Sequence, residues 1–209
     1  MIKAYQQKPF EFRHEEKSLR EILNVLHKTY PKDKDLYLFV NIKLPHVFSK
    51  SPRGYTPDII ALSENGINVI EMKNWYGKVT IAAKQNEWLR DDKPLEGQIH
   101  PYDQTRRNAY ATLGFIEAIK DHDKNNFKDL LNMKINKTVL FVNPNMDIVF
   151  SDESNIRKIL KQGDDVSITT LKKYEGFNHF QEWIQQPRVI PSEYDNIGNE
   201  SSEKRDSSQ

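Results

Sequence analysis

Apolar residues recur along most of the chain with two periods, and each period predicts a different element. Between His14 and Lys28, Leu19, Ile22, Leu23 and Leu26 fall at helical spacing while Glu, Lys and Arg fill the other faces. This predicts an amphipathic helix that ends at Pro31. Leu36, Leu38, Val40 and Ile42 alternate with other residues over 36–43, the period of a strand. A loop over 44–56, rich in Pro, Ser, Lys and Arg, leads to two runs, Asp58–Ser63 and Ile67–Lys73. Both are apolar at both parities (Ile59, Ile60, Ala61, Leu62; Val69, Ile70, Met72), as expected of central strands covered on two sides. Asn65-Gly66 joins them, the strongest short-range signal for a two-residue hairpin. Further strands are predicted near Lys78–Ala83, after Gly77, and around Trp88 over Asn86–Asp91. Pro101 opens a helix running to about Lys120 with Ala109, Leu113, Ile116 and Ile119 inward. Lys137–Asn143 reads as an apolar strand stopped by Pro144. Asp152–Lys161 reads as a short helix, Val166–Thr169 as a short strand and Phe177–Gln186 as a closing helix. That order implies an α/β fold, a mixed sheet flanked by helices. It occupies residues 1–190, and the Ser-, Glu- and Asn-rich stretch 191–209 is expected to be a disordered tail.

The hairpin carries charge where an apolar sheet has little use for it. With Asn65-Gly66 as the corner, Glu64 opposes Ile67, Asp58 opposes Lys73 and Ile60 opposes Glu71. Side chains alternate faces along a strand, so Asp58, Glu71 and Lys73 emerge on one face. Asp58 and Glu71 become diagonal neighbours, about 7–8 Å apart at their backbones. An opposed Asp and Lys alone would be an ordinary cross-strand ion pair, worth about 0.2–1 kcal/mol. Glu71 on the same face leaves excess negative charge between apolar strands, and buried charge needs compensation. A divalent cation bridging the two acids supplies it, which makes this face a candidate metal-dependent hydrolytic site.

Composition removes several alternatives. The 209 residues contain no cysteine, which excludes disulfides, thiol catalysis and cysteine-ligated zinc. No run approaches the roughly 18 apolar residues of a membrane helix, and the N-terminus lacks the apolar core of a signal peptide, so a cytoplasmic protein with no membrane partner is expected. Net charge is only +1, so any surface for nucleic acid has to be a local basic patch. The six histidines lack the spacing of a zinc hydrolase, and neither a Gly-x-Ser-x-Gly elbow nor a P-loop is present.

Taken together, these residues resemble the PD-(D/E)xK nuclease superfamily and, within it, the nuclease-related domain (NERD) family. The resemblance runs from about Glu16 to Trp183. It rests on a helix-borne Glu followed by Leu19 and Leu23, Pro57-Asp58, and the hairpin ending Glu71-Met72-Lys73. Gly77 before a strand, Trp88, and Pro101 with Gln104 opening the next helix complete it. His14-Glu15 stands where such families often have Gly before the helix acid, so Glu15 or Glu16 can be the equivalent; phasing with Leu19 favours Glu16.

The resemblance implies a restriction-endonuclease-like fold and a nuclease, an endonuclease in the first instance, that hydrolyses DNA with Mg²⁺ or Mn²⁺. Asp58 and Glu71 are then expected as metal ligands, with Glu16 reaching in from the helix, directly or through water. Lys73 is expected to orient the attacking water or stabilise charge, as a neutral base or as a cation. Gln104 is expected to steady the site, and Arg107 and Asn108, one turn further, to contact the nucleic-acid backbone. Each has a plainer role open to it: Glu16 as a solvated helix residue, Gln104 as a satisfier of backbone groups, Arg107 as part of a wet helix face. Trp75, Tyr76 and Trp88 could stack on bases, although packing is the more frequent use of such residues. DNA is the expected partner, RNA remains open, and a homodimer or a larger DNA-processing or defence complex is the implied setting. The alternative from another class is a nucleic-acid-binding or interaction module with weak or partner-licensed catalysis, consistent with the near-neutral charge.

Overall fold

Among the described residues, two helices lie on opposite faces of a six-stranded mixed sheet, and a second sheet of four strands stands beside it. The computed structural model describes residues 1–44, 55–64, 66–82, 88–95, 100–122, 135–151 and 166–171. The expected helices at 152–161 and 177–186, the tail from 191, and most of the loop over 44–56 lie outside the described residues.

The main sheet has the order β1 (Ile2–Gln6), β2 (Leu36–Val40), β3 (Ile59–Ser63), β4 (Gly66–Lys73), β8 (Ile135–Phe141), β10 (Val166–Thr170). β2, β3 and β4 run antiparallel in turn, whereas β1 joins β2, β8 joins β4 and β10 joins β8 in parallel. Parallel neighbours need a crossover connection. Between β4 and β8 the chain forms β5 (Gly77–Ile81), β6 (Leu89–Arg90), β7 (Lys93–Pro94) and helix α2 (Pro101–His122). The strands expected after Gly77 therefore do not extend the main sheet. They pair as β7-β6-β5 with β9 (Met146–Phe150), which is parallel to β5.

Helix α1 (Arg13–Thr29) buries Ser18, Leu19, Ile22 and Leu26 against Ile59, Ala61, Ile70 and Met72. Full burial of such a Leu or Ile contributes about 1.5–3 kcal/mol. α2 sets Ala109 and Ile116 against Ile67 and Val69, the alternate residues of β4 and hence the other face. β4 is consequently buried along its length except at Lys73. Its neighbour β3 alternates buried with half-buried positions instead of being covered evenly on both sides.

The hairpin register differs from the expectation by two residues. Ser63 pairs with Gly66, Leu62 with Ile67 and Ile59 with Ile70. Gly66, at φ 134°, enters β4 as its first residue instead of forming the corner. That backbone conformation is open to glycine and to little else. A two-residue shift preserves which face each side chain occupies, whereas a shift of one would have reversed it.

Candidate active site

Glu71 and Lys73 project from the C-terminal end of β4 on the face covered by α2. Continuing the hairpin register by one position brings Asp58 level with Glu71, not with Lys73. Asp58 is held from both sides. Its carbonyl accepts the Asn41 N–H at 2.9 Å, and its Oδ2 accepts the Met72 N–H at 2.7 Å. Lys73 is fixed at its backbone by β8, where its carbonyl accepts the Val142 N–H at 3.0 Å. Its ammonium lies 2.7 Å from Glu71 Oε1 and donates to Gln104 Oε1 at 3.2 Å. The second oxygen of Glu71 accepts from Asn108 Nδ2 at 3.2 Å. Gln104 and Asn108 are one helical turn apart, so α2 offers both amides to the same pair on β4.

That face of α2 is polar where it meets the pair on β4. Thr105, Asn108 and Thr112 are buried, and the two hydroxyls are satisfied within the helix by the carbonyls of Pro101 and Asn108. The helix starts where Pro101 tolerates the lack of an N–H, and His100 Nδ1 accepts from Tyr102 N–H at 3.3 Å.

Glu71 is 1% exposed. Desolvation pushes its carboxyl above the usual range, against the pull of Lys73 and of hydrogen bonds from Lys73, Asp58 and Asn108. Asp58 retains some surface, yet desolvation is again the largest influence and pushes it well above the ordinary value. The Glu71 charge pushes the same way, Lys73 and the Met72 N–H oppose it, and Glu15 adds a further upward push. Two carboxyls that resist ionisation beside a single ammonium define a site short of positive charge.

The remaining predicted residues fall differently. Glu16 is exposed and paired with Arg20 at 2.8 Å. Glu15, half-buried, accepts the Phe12 N–H at 3.4 Å and is the helix acid whose charge reaches Asp58. The buried stripe of α1 is Ser18, Leu19, Ile22 and Leu26, and Glu15 extends it by one turn, whereas phasing from Leu19 and Leu23 pointed to Glu16. Asn108 is buried on Glu71 instead of facing solvent beside a nucleic acid, and only Arg107 of that pair is exposed. The spacing from Gln104 put Asn108 on the same helix face, but its contact with Glu71 was not expected. Trp88 is core, donating Nε1–H to the Ala82 carbonyl at 3.1 Å, and Trp75 packs on Phe141; Tyr76 is exposed.

Among the described residues no group of three or more His, Cys, Asp or Glu converges. Two carboxylates nevertheless suit a hard cation such as Mg²⁺, which keeps several waters and binds through one or two acids. Each carboxylate oxygen offers two lone pairs, so the donors already present do not exhaust Asp58 and Glu71. The donor set and its shortage of positive charge fit a divalent ion.

Comparisons with curated proteins and with solved structures gave no match. A family model, that of the nuclease-related domain, matches residues 12–142. The match opens at the residue before α1 and closes just after β8, so it encloses Glu15, Asp58, Glu71, Lys73, Gln104 and Asn108. The chain belongs to the nuclease-related domain family.

Proposed function

We propose that the protein is a divalent-metal-dependent nuclease that hydrolyses DNA phosphodiester bonds, cutting within strands. The observation that carries this reading is the convergence of half-buried Asp58 and buried Glu71, level with each other across the hairpin, beside one lysine. Asp58 and Glu71 would hold the ion, with Glu15, in place of Glu16, adding negative charge from the helix side. A bound Mg²⁺ or Mn²⁺ supplies Lewis-acid stabilisation of phosphoryl charge and lowers the pKa of water.

The protein's own groups do the rest. Lys73, tethered between Glu71 and Gln104, presents N–H donors at the mouth of the site, where they orient a water or meet the charge that develops on phosphate oxygen. Gln104 keeps the lysine from collapsing wholly onto Glu71, and Asn108 fixes the Glu71 plane. Arg107, exposed one turn along α2 from Gln104, would contact the DNA backbone.

One observation favours the alternative of a nucleic-acid-binding module with weak or partner-licensed catalysis. Lys73 already neutralises one of only two converging acids among the described residues. Cleavage of supercoiled, linear and single-stranded DNA in Mg²⁺, in Mn²⁺ and in EDTA separates the two. The nuclease reading expects cutting only with metal and a loss of at least about 100-fold in Lys73→Ala and in Asp58→Asn. Salt-dependent binding without cleavage under either ion supports the module. Cutting that survives both substitutions discredits the site.

A further inference from the structure

Three residues beyond Lys73, the ring of Tyr76 stands 64% exposed. The Arg90 guanidinium carbon lies 5.0 Å from its centroid and 5.4 Å from that of Trp75. Trp75 is anchored beneath by Phe141, at 5.6 Å between ring centroids. The two acids that follow Arg90 are turned elsewhere. Asp91 Oδ1 accepts the Lys78 N–H at 2.9 Å, and Asp92 pairs with the Lys78 ammonium at 3.5 Å. No carboxylate meets Arg90 among the described residues, and its Nε is buried without a hydrogen-bond partner.

An arginine stacked on aromatic faces keeps its in-plane N–H fork free, and that fork matches phosphate oxygens. An exposed ring beside it offers a platform for an unstacked base, and such platforms tolerate any sequence. Three residues of chain span at most about 11 Å. The backbone of Tyr76 therefore lies within about 11 Å of that of Lys73, which puts the cluster beside the candidate site.

Resting on the nuclease reading of the neighbouring site, we infer that Tyr76 and Arg90 form a subsite for the strand being cut. Arg90 takes a phosphate and Tyr76 stacks an unpaired base, so the preferred substrate has single-stranded or frayed DNA beside the scissile bond. This assigns a function to the one aromatic of the three that packing does not absorb.

The test is fluorescence anisotropy of a labelled single-stranded oligonucleotide and of the matching duplex. Binding is measured in EDTA so that it does not depend on hydrolysis. Tyr76→Ala is expected to weaken single-strand binding about tenfold and duplex binding far less, while Tyr76→Phe, which keeps the ring, stays close to wild type. Arg90→Ala is expected to lower the slope of log affinity against log salt by about 0.7, the contribution of one phosphate on a single strand. Thermal melts exclude misfolding, and exposed Tyr76 provides a readout should Arg90→Ala unfold. Single-strand binding by Tyr76→Ala equal to wild type, or wild-type protein that binds no oligonucleotide, overturns the inference. Metal-dependent cutting alongside an inert Tyr76→Ala leaves the nuclease reading standing and removes only the subsite. Tyr76-dependent binding with no cutting in any metal does the reverse.

Discussion

At the scale of single residues, the chemistry turns on where protons and charges rest around Glu71. Asp58 and Glu71 both hold protons more tightly in the folded chain than carboxylates do in an unfolded one, desolvation being the first cause for each. Between the ordinary carboxylate range and those raised values, the folded state binds more protons than the unfolded state. Stability of the metal-free protein therefore falls as pH rises through that window and is greatest below it, as far as these two groups decide. Asp58→Asn removes one of the two desolvated ionisable carboxyls while its side-chain oxygen can still accept the Met72 N–H. In EDTA near neutral pH this variant is expected to be more stable than wild type by about 1–3 kcal/mol, with a flatter pH dependence. Urea unfolding across the window checks both. A variant less stable than wild type at neutral pH would show that Asp58 is a structural anchor and not a charge held in readiness for a cation.

At the scale of elements, the C-terminal end of β4 hands the chain directly to Gly77 and β5. Gly77 has φ 86°, and a Cβ there would stand 2.2 Å from Asp91 Oδ1. Gly77→Ala is expected to destabilise the fold by about 1–3 kcal/mol and to disturb Arg90, the neighbour of Asp91. A thermal melt within a degree of wild type would contradict that. The same elements show what the sequence could and could not reveal. The shared face of Glu71 and Lys73 was legible because alternation along a strand survives a register shift of two. The register itself was not, because the Asn-Gly rule places Gly66 at the corner and the glycine instead joins the ladder. β1 escaped notice because Ile2–Gln6 is largely exposed and pairs only with β2, so no strong apolar alternation marks it. β9 follows Pro144 and buries only its first residue, Met146, which leaves an equally faint pattern. Gln104 was expected near the site only through the family resemblance, and its contact is with Lys73. Asn108 was expected at the nucleic-acid backbone from the face it shares with Gln104, and a partner on a strand, such as Glu71, is not visible in the helix's own pattern.

At the scale of the whole molecule, the candidate site draws on three stretches of the chain. α1 supplies Glu15, the hairpin Asp58 and the acid–lysine pair, and α2 the two amides, all within the region matched by the family model. No helix among the described residues is long and apolar enough to cross a membrane. On the proposed function, two desolvated carboxylates are kept together for a divalent cation. Titration calorimetry of Mn²⁺ into the metal-free protein tests it without requiring turnover or a substrate. The expected result is saturable binding by wild type and the loss of at least about tenfold in affinity in Asp58→Asn and Glu71→Gln. It should be accompanied by a rise in melting temperature that only wild type shows, since a ligand held by the native state stabilises it. No heat of binding with wild type, or equal binding by wild type and both variants, would mean that these carboxylates hold no cation.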